Sequence, residues 1–267
     1  MKYKLLCSDL DGTLLSTKSD VSAYTIAQIN RIKQSTRIIL VSARMPNGMY
    51  YIQRDLGILD QPIVCYNGAL VLDGTKELLS VTVPLKVVQQ IHEVCEGFKT
   101  DMGLYAFDEW HVPKASERVE KEIKYTKTNP VFKSTLRTLE EWEGRKIGAH
   151  KVMLMGTKAS ADQLMPLLNK KFGNEVNLYR SNDTLIEIAP KSVSKLTAIQ
   201  KLMGPGEALQ DVIAFGDNFN DIDMLSNVGW GVAVSNAREE VKQIAQSITS
   251  SNTEHGVALY IEQHLLI

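Results

Sequence analysis

The sequence predicts an α/β protein whose parallel sheet, flanked by helices, is interrupted by an inserted α+β domain. Three observations carry this. Short, β-branched apolar runs alternate with amphipathic helical stretches in the first third of the chain, the pattern of parallel crossover units. The rhythm breaks after Pro84 and resumes at Pro190. Four of the apolar runs stop abruptly at polar residues, as strands do where an α/β site begins.

Lys4–Cys7 is the first run, and it ends at Ser8-Asp9-Leu10-Asp11-Gly12-Thr13. Ser22 can cap a helix with Ile26, Ile29 and Ile32 on one face. Arg37–Val41 reads as the second strand. Pro46 suits the first turn of a helix that Gly57 would terminate. Pro62–Tyr66 is the third strand, ending at Asn67-Gly68, and Ala69–Leu72 with Leu78–Val83 flank a hairpin turn at Asp73-Gly74.

Beyond Pro84, Val87, Val88, Ile91, Val94 and Cys95 mark an amphipathic helix. Tyr105–Val112 and Val152–Met155 read as strands, and Ala161–Phe172 as a helix interrupted or started by Pro166. Leu178–Arg180 and Leu185–Ala189 form an antiparallel end around Ser181-Asn182-Asp183, while Ser116–Lys146 is charged and structurally illegible. After Pro190, Ser194 can cap a helix carrying Leu196, Ile199, Leu202 and Met203. Val212–Phe215 is a strand stopping at Gly216-Asp217-Asn218. A helix through Asp221–Leu225, a strand at Gly231–Val234, a helix at Glu239–Ala245 and a last helix at Gly256–Leu265 follow. The expected limits are 1–83 and 190–267 for the parallel-sheet domain and 84–189 for the insert.

The 267 residues, 44% of them apolar and 23% charged, have an ordinary globular composition that excludes wholesale disorder. Lysine and arginine number 30 against 31 aspartates and glutamates, which argues against a nucleic-acid or membrane-surface partner. Three cysteines (Cys7, Cys65, Cys95) without C-x-x-C spacing make neither a disulfide framework nor a thiolate zinc site. The five histidines are scattered without ligand spacing, so zinc is not expected. Trp110 and His111 follow a strand of the insert and read as packing or surface residues, with contact to substrate as the alternative. No signal peptide and no apolar stretch near the ~20 residues of a membrane helix is visible, so the expected location is cytoplasmic.

The chemistry is expected beyond the strand ends. Asp9–Thr13, Ser42–Arg44, Asn67–Gly68 and Gly216–Asp221 would converge there. Asp9, Asp11 and Asp217 would repel one another unless a cation lay among them, and a hard divalent ion such as Mg²⁺ suits oxygen ligands. Arg44 and Lys195 then suggest an anionic substrate, and the set as a whole suggests phosphoryl transfer. A calcium loop fails on paper. Counted from Asp217, the glycine and glutamate positions hold Ile222 and Val228, and counted from Asp9 they hold Leu14 and Asp20.

Asp9-Leu10-Asp11-Gly12-Thr13, Ser42, Lys195 and Gly216-Asp217-Asn218-Phe219-Asn220-Asp221 resemble the four motifs of the haloacid dehalogenase (HAD) superfamily, phosphatase branch. The insert, with Asn67-Gly68-Ala69 before it and Ile188-Ala189-Pro190 after it, resembles the Cof-type subfamily with its type II α/β cap on a Rossmann-like core. The resemblance spans the chain in order and implies roles residue by residue. Asp9 would be the nucleophile that forms an aspartyl phosphate, and Asp11 the general acid and then base. Ser42 would donate a hydrogen bond to the phosphate, and Lys195 would neutralise its charge. Asp9, the backbone carbonyl of Asp11 and Asp217 would ligate Mg²⁺, with Asn220 and Asp221 completing or orienting the shell. Gly12 and its neighbouring amides, Arg44, Asn67 and Asn220 would face phosphate or substrate, and the cap would close over the crevice.

Two positions depart from the family pattern. Ala43 stands where the second motif often has glycine, and Leu196 where glycine often follows the lysine. Neither removes a catalytic group, so rate and substrate range are the properties they bear on. The expected activity is Mg²⁺-dependent hydrolysis of a small organic phosphate, a sugar phosphate or phosphorylated cofactor, by a monomer or homodimer. A phosphotransferase or mutase of sugar phosphates would use the same four motifs. A non-catalytic metabolite-binding regulator would be expected to have lost one of Asp9, Asp11, Lys195 or Asp217, and all four are present.

Overall fold

The computed structural model describes residues 3–17 and 19–266. The chain opens with β1 (Leu5–Ser8), whose four residues are all buried. Helix α1 (Ala23–Ile32) starts where the Ser22 side chain accepts from the Thr25 N–H. β2 (Arg37–Val41) leads to α2 (Asn47–Leu56), which Gly57 stops in the left-handed conformation. β3 (Ile63–Cys65), β4 (Leu70–Asp73) and β5 (Lys76–Ser80) complete this segment.

The middle of the chain runs α3 (Leu85–Cys95), β6 (Thr100–Ala106), β7 (Glu109–Val112), α4 (Glu117–Thr126), β8 (Val131–Phe132) and α5 (Thr135–Arg145). Then follow β9 (Lys151–Gly156), α6 (Lys158–Phe172), β10 (Val176–Asn182) and β11 (Leu185–Pro190). The last segment holds α7 (Lys195–Leu202), β12 (Val212–Gly216), α8 (Ile222–Asn227), β13 (Trp230–Val234), α9 (Glu239–Ile244), β14 (Ser247–Thr249) and α10 (Gly256–His264).

The chain divides into two units, Met1–Leu79 with Ser194–Ile267, and Ser80–Val193. The first holds an eight-stranded sheet in the order β14-β13-β12-β1-β2-β3-β4-β5. Its pairs from β14 to β3 are parallel, and β4 turns back antiparallel on β3. Helices cover it, and the core gathers residues such as Leu5, Cys7, Ile39, Val64, Ile199, Ala214 and Val234. These parallel strands read as continuous apolar runs because both their faces are buried. The second unit holds a six-stranded sheet, β10-β11-β9-β6-β7-β8. Met102, Leu104, Val152, Leu154, Ile186 and Ile188 alternate along its strands and pack with Ile91, Trp142, Leu164 and Phe172 from α3, α5 and α6. Among the described residues no helix is long and apolar enough to cross a membrane.

Several expectations need correction. Residues 80–83 and 190–193, assigned from sequence to the parallel-sheet domain, lie in the second unit. Val83 bridges Ala149, and the Asn177 amide binds the carbonyls of Pro190 and Val193. Tyr105–Val112 is not one strand but the turn of a hairpin. Ala106 pairs with Glu109, and Phe107 takes the left-handed conformation without the glycine or asparagine that would announce it. Pro166 neither starts nor breaks a helix. It sits inside α6, where Ala161, Leu164, Leu168 and Phe172 bury one continuous face that outweighs the lost hydrogen bond. The illegible stretch forms α4, β8 and α5. Ser116 and Ser134 cap the two helices, and Lys127 and Lys146 end them in left-handed conformations usually marked by glycine. The short edge strand β14 was not expected.

Candidate active site

Strand order brings the four polar strand ends together. β12, β1, β2 and β3 are consecutive in the sheet and parallel. Asp9 prolongs β1, its N–H bonded to the Phe215 carbonyl of β12 at 3.0 Å. Ser42 follows β2, its N–H on the Val64 carbonyl, and the Asn67 N–H returns to the Ser42 carbonyl, both at 2.9 Å. The chain order reverses between β1 and β12, where α/β sheets open a crevice.

Lys195 is the first residue of α7, whose start is set by the reciprocal Ser194–Thr197 capping box. Its side chain is fully buried, and Nζ donates to Asp9 Oδ1 at 2.6 Å and to Asp221 Oδ1 at 2.7 Å. Burial penalises the ammonium, yet the two carboxylates outweigh that penalty and hold its pKa above the usual lysine range. Asp221 is wholly buried, and its Oδ2 accepts the N–H groups of Asp217 and Asn218, each at 3.0 Å. That packing requires Gly216, where a Cβ would lie 2.6 Å from Asp221 Cβ and Cγ. Asp217 Oδ1 accepts from the Thr13 hydroxyl at 3.1 Å. Gly12 holds a φ of +88°, and a side chain there would meet Asp217 Oδ2 at 2.6 Å.

Asp9, Asp217 and Asp221 offer carboxylate oxygens that all lie within 4.8 Å of one another. Burial raises the Asp9 carboxyl well above its usual range against the pull of Lys195, and Asp221 and Asp217 push it the same way. Burial, then Asp221, carries Asp217 up to about 6. Three carboxylates against one ammonium leave two negative charges in a nearly closed space. A divalent ion with oxygen ligands fits that set of carboxylates.

The other expected residues fall into two further groups. Arg44 is not aimed at open space. Its Nε and Nη2 grip Asp11 Oδ2 and Oδ1 at 2.8 and 2.7 Å, and Nη1 donates to the Gly48 carbonyl and the Tyr51 hydroxyl. Ser42 is buried, and its Oγ accepts the Arg44 N–H at 3.2 Å. The Asn220 amide donates to Asn67 Oδ1 at 2.9 Å, and Asn67 sits at φ +55°. Thus Asp9, Lys195, Asp217 and Asp221 form one cluster, Asp11 pairs with Arg44, and Asn67 pairs with Asn220.

Three contributors escaped the sequence reading. The Thr13 hydroxyl on Asp217 belongs to the first motif, whose pattern gives it no role. Tyr51, behind Arg44, and Asn236, whose amide donates to the Gly12 carbonyl at 2.8 Å, carry no local signal.

Fold and site together define an α/β enzyme that gathers carboxylates and a lysine beyond the ends of parallel strands. The family model of haloacid dehalogenase-like hydrolases matches residues 6–261, and the chain belongs to that family. A Haemophilus influenzae protein is 33% identical over 267 residues, covering 98% of each chain. The Bacillus subtilis 5-amino-6-(5-phospho-D-ribitylamino)uracil phosphatase YitU is 29% identical over 98% of each chain. The Escherichia coli pyridoxal phosphate phosphatase YbhA is 27% identical over the whole of both. Among solved structures, a haloacid dehalogenase-like hydrolase from Bacteroides thetaiotaomicron superposes with a TM-score of 0.88 at 27% identity, covering 98% of this chain and 99% of its own. TM0651 from Thermotoga maritima gives 0.84 at 27% identity, with 98% and 97% covered.

Proposed function

We propose that this hydrolase acts on a small organic phosphate monoester, with Mg²⁺, through a phosphoryl group carried on Asp9. The observation that carries the reading is the fully buried Lys195 spanning Asp9 and Asp221 beside Asp217. The relatives named as phosphatases of a ribitylaminouracil phosphate and of pyridoxal phosphate support the substrate class. Asp9, Asp217 and the Asp11 carbonyl would hold the Mg²⁺, which when bound supplies positive charge against the phosphoryl oxygens and the carboxylates.

The chain's own groups account for the rest. The Asp9 carboxylate attacks phosphorus, and the ester P–O bond breaks as the Asp9 O–P bond forms. Asp11 gives its proton to the departing alkoxide. Asp11 then takes a proton from water, whose oxygen attacks phosphorus and returns Asp9 as a carboxylate with release of inorganic phosphate. The Lys195 ammonium holds Asp9 in one orientation and offsets charge on the phosphoryl group, the Ser42 hydroxyl donates to a phosphoryl oxygen, and the turn amides at Gly12 do the same. Asp221 keeps Lys195 in place and knots the loop that presents Asp217.

The test is a panel of small phosphate esters, assayed with Mg²⁺ and with EDTA. Turnover on at least one sugar or cofactor phosphate is expected, lost in EDTA and lost in Asp9→Asn. Folded protein that turns over none of them would refute the proposal.

A further inference from the structure

We propose that Arg44 and Tyr51 are positioning residues for the proton transfer that Asp11 performs, an inference that rests on the function proposed above. The Asp11 side chain is about half exposed, at 51%. A carboxyl group that open to water has no reason to hold one rotamer, and each additional orientation lowers the fraction poised toward a leaving group. The guanidinium that grips it is the opposite. Arg44 is 3% exposed, and both of its outer edges are in use.

One edge, Nε with Nη2, meets both Asp11 oxygens in the planar two-bond geometry that only arginine offers. The other, Nη1, is tied to the first two turns of α2 through the Gly48 carbonyl at 3.1 Å and the Tyr51 Oη at 2.9 Å. The Tyr51 hydroxyl in turn donates to the Ser19 carbonyl at 2.5 Å, so its lone pairs face Arg44. The Arg44 N–H is held as well, by Ser42 Oγ. A chain of directed hydrogen bonds therefore runs from α2 to the carboxyl group that must meet the ester oxygen. Lysine would retain the attraction without the second bond.

In the step at issue, the Asp11 O–H bond breaks and its proton joins the ester oxygen, which keeps the electron pair of the broken P–O bond. A misplaced acid slows departure of an alkoxide and barely affects a nitrophenolate, which leaves without a proton. The experiment measures kcat and KM for wild type, Arg44→Lys and Tyr51→Phe on glycerol phosphate and on p-nitrophenyl phosphate. Expected is a loss in kcat/KM of about tenfold or more on the alkyl ester, part of the ~10²–10⁴ that general acid catalysis supplies. On the aryl ester kcat/KM, which reads only the steps up to departure of the leaving group, should fall less than about threefold, whereas kcat falls on both esters because Asp11 also activates the water. A parallel fall in kcat/KM on both esters would mean that the residues support the fold or that Arg44 binds phosphate, and not that they position the acid. That result overturns the inference while leaving the proposed function standing. A wild type inactive on both esters and on the metabolite panel would overturn the function itself, and this inference with it.

Discussion

Replacing Lys195 with methionine isolates the electrostatics of the site, because methionine keeps the length and the apolar stem and removes the charge. Nζ lies 2.6 and 2.7 Å from carboxylate oxygens of Asp9 and Asp221. Charge centres roughly 4 Å apart at an effective dielectric near 20 attract by about 4 kcal/mol each, so about 8 kcal/mol in all. Returning the ammonium from water to this buried position costs several kcal/mol, which leaves about 3–5 kcal/mol, the usual cost of breaking a buried pair from one side. The assay is urea unfolding of both proteins in EDTA at pH 8, read by hydrogen exchange of the β1 and β12 amides, which report opening of the first unit's core. The deficit should shrink toward pH 5. Carboxyl groups with raised folded pKa values cost stability when ionised, and that cost fades as the pH falls through the folded value. A deficit under about 1 kcal/mol at pH 8, or one that grows on acidification, would refute the reasoning.

Three further outcomes follow from the geometry. Burial and the neighbouring Asp221 push the Asp217 carboxyl up to about 6 from the usual 3.8, so in EDTA its ionised form costs up to about 3 kcal/mol above pH 6, relieved as the pH falls toward 4. Asp217→Asn should therefore be more stable than wild type at pH 8 in EDTA and not at pH 4, with the gain cancelled by Mg²⁺, as thermal melts would show. His150 runs the other way in the second unit. Burial lowers it to about 4 from 6.5, and its Nδ1 accepts the Phe107 N–H at 3.2 Å. The neutral ring is the one the fold favours, so roughly 3 kcal/mol present above pH 6.5 is lost as the pH falls to 4. An NMR titration of its ring protons and hydrogen exchange at β6 and β9 check this. Gly216→Ala should cost about 1–3 kcal/mol through overpacking against Asp221, and should weaken Mg²⁺ binding in calorimetry by displacing the loop that carries Asp217.

The core strands were legible because both faces of each are buried, which writes them as unbroken apolar runs. Val212–Gly216 and Arg37–Val41 are of this kind. The helix starts at Ser22 and Ser194 were legible because capping chemistry is local. The elements between 116 and 146 were not. α4 buries only Val119 and Thr126, the buried face of α5 is half threonine (Thr135 and Thr138 beside Leu139 and Trp142), and both helices end on lysine where glycine usually marks the stop. The turn at Phe107 was hidden for the same reason.

Residue types at the strand ends and at one helix start, and their order along the chain, were enough to nominate Asp9, Asp11, Lys195 and Asp217 and to connect them with oxygen-ligated metal and phosphate. Which of them meet was settled by strand order, since β12 beside β1 brings residues about 200 positions apart within hydrogen-bonding distance. Tertiary structure alone showed that Lys195 answers to Asp221 as well as Asp9, and that Arg44 spends its guanidinium on Asp11 and on Tyr51 of α2. The physical reason is that chemical identity is a property of single residues, whereas a hydrogen bond's partner depends on angles and distances that long-range packing sets.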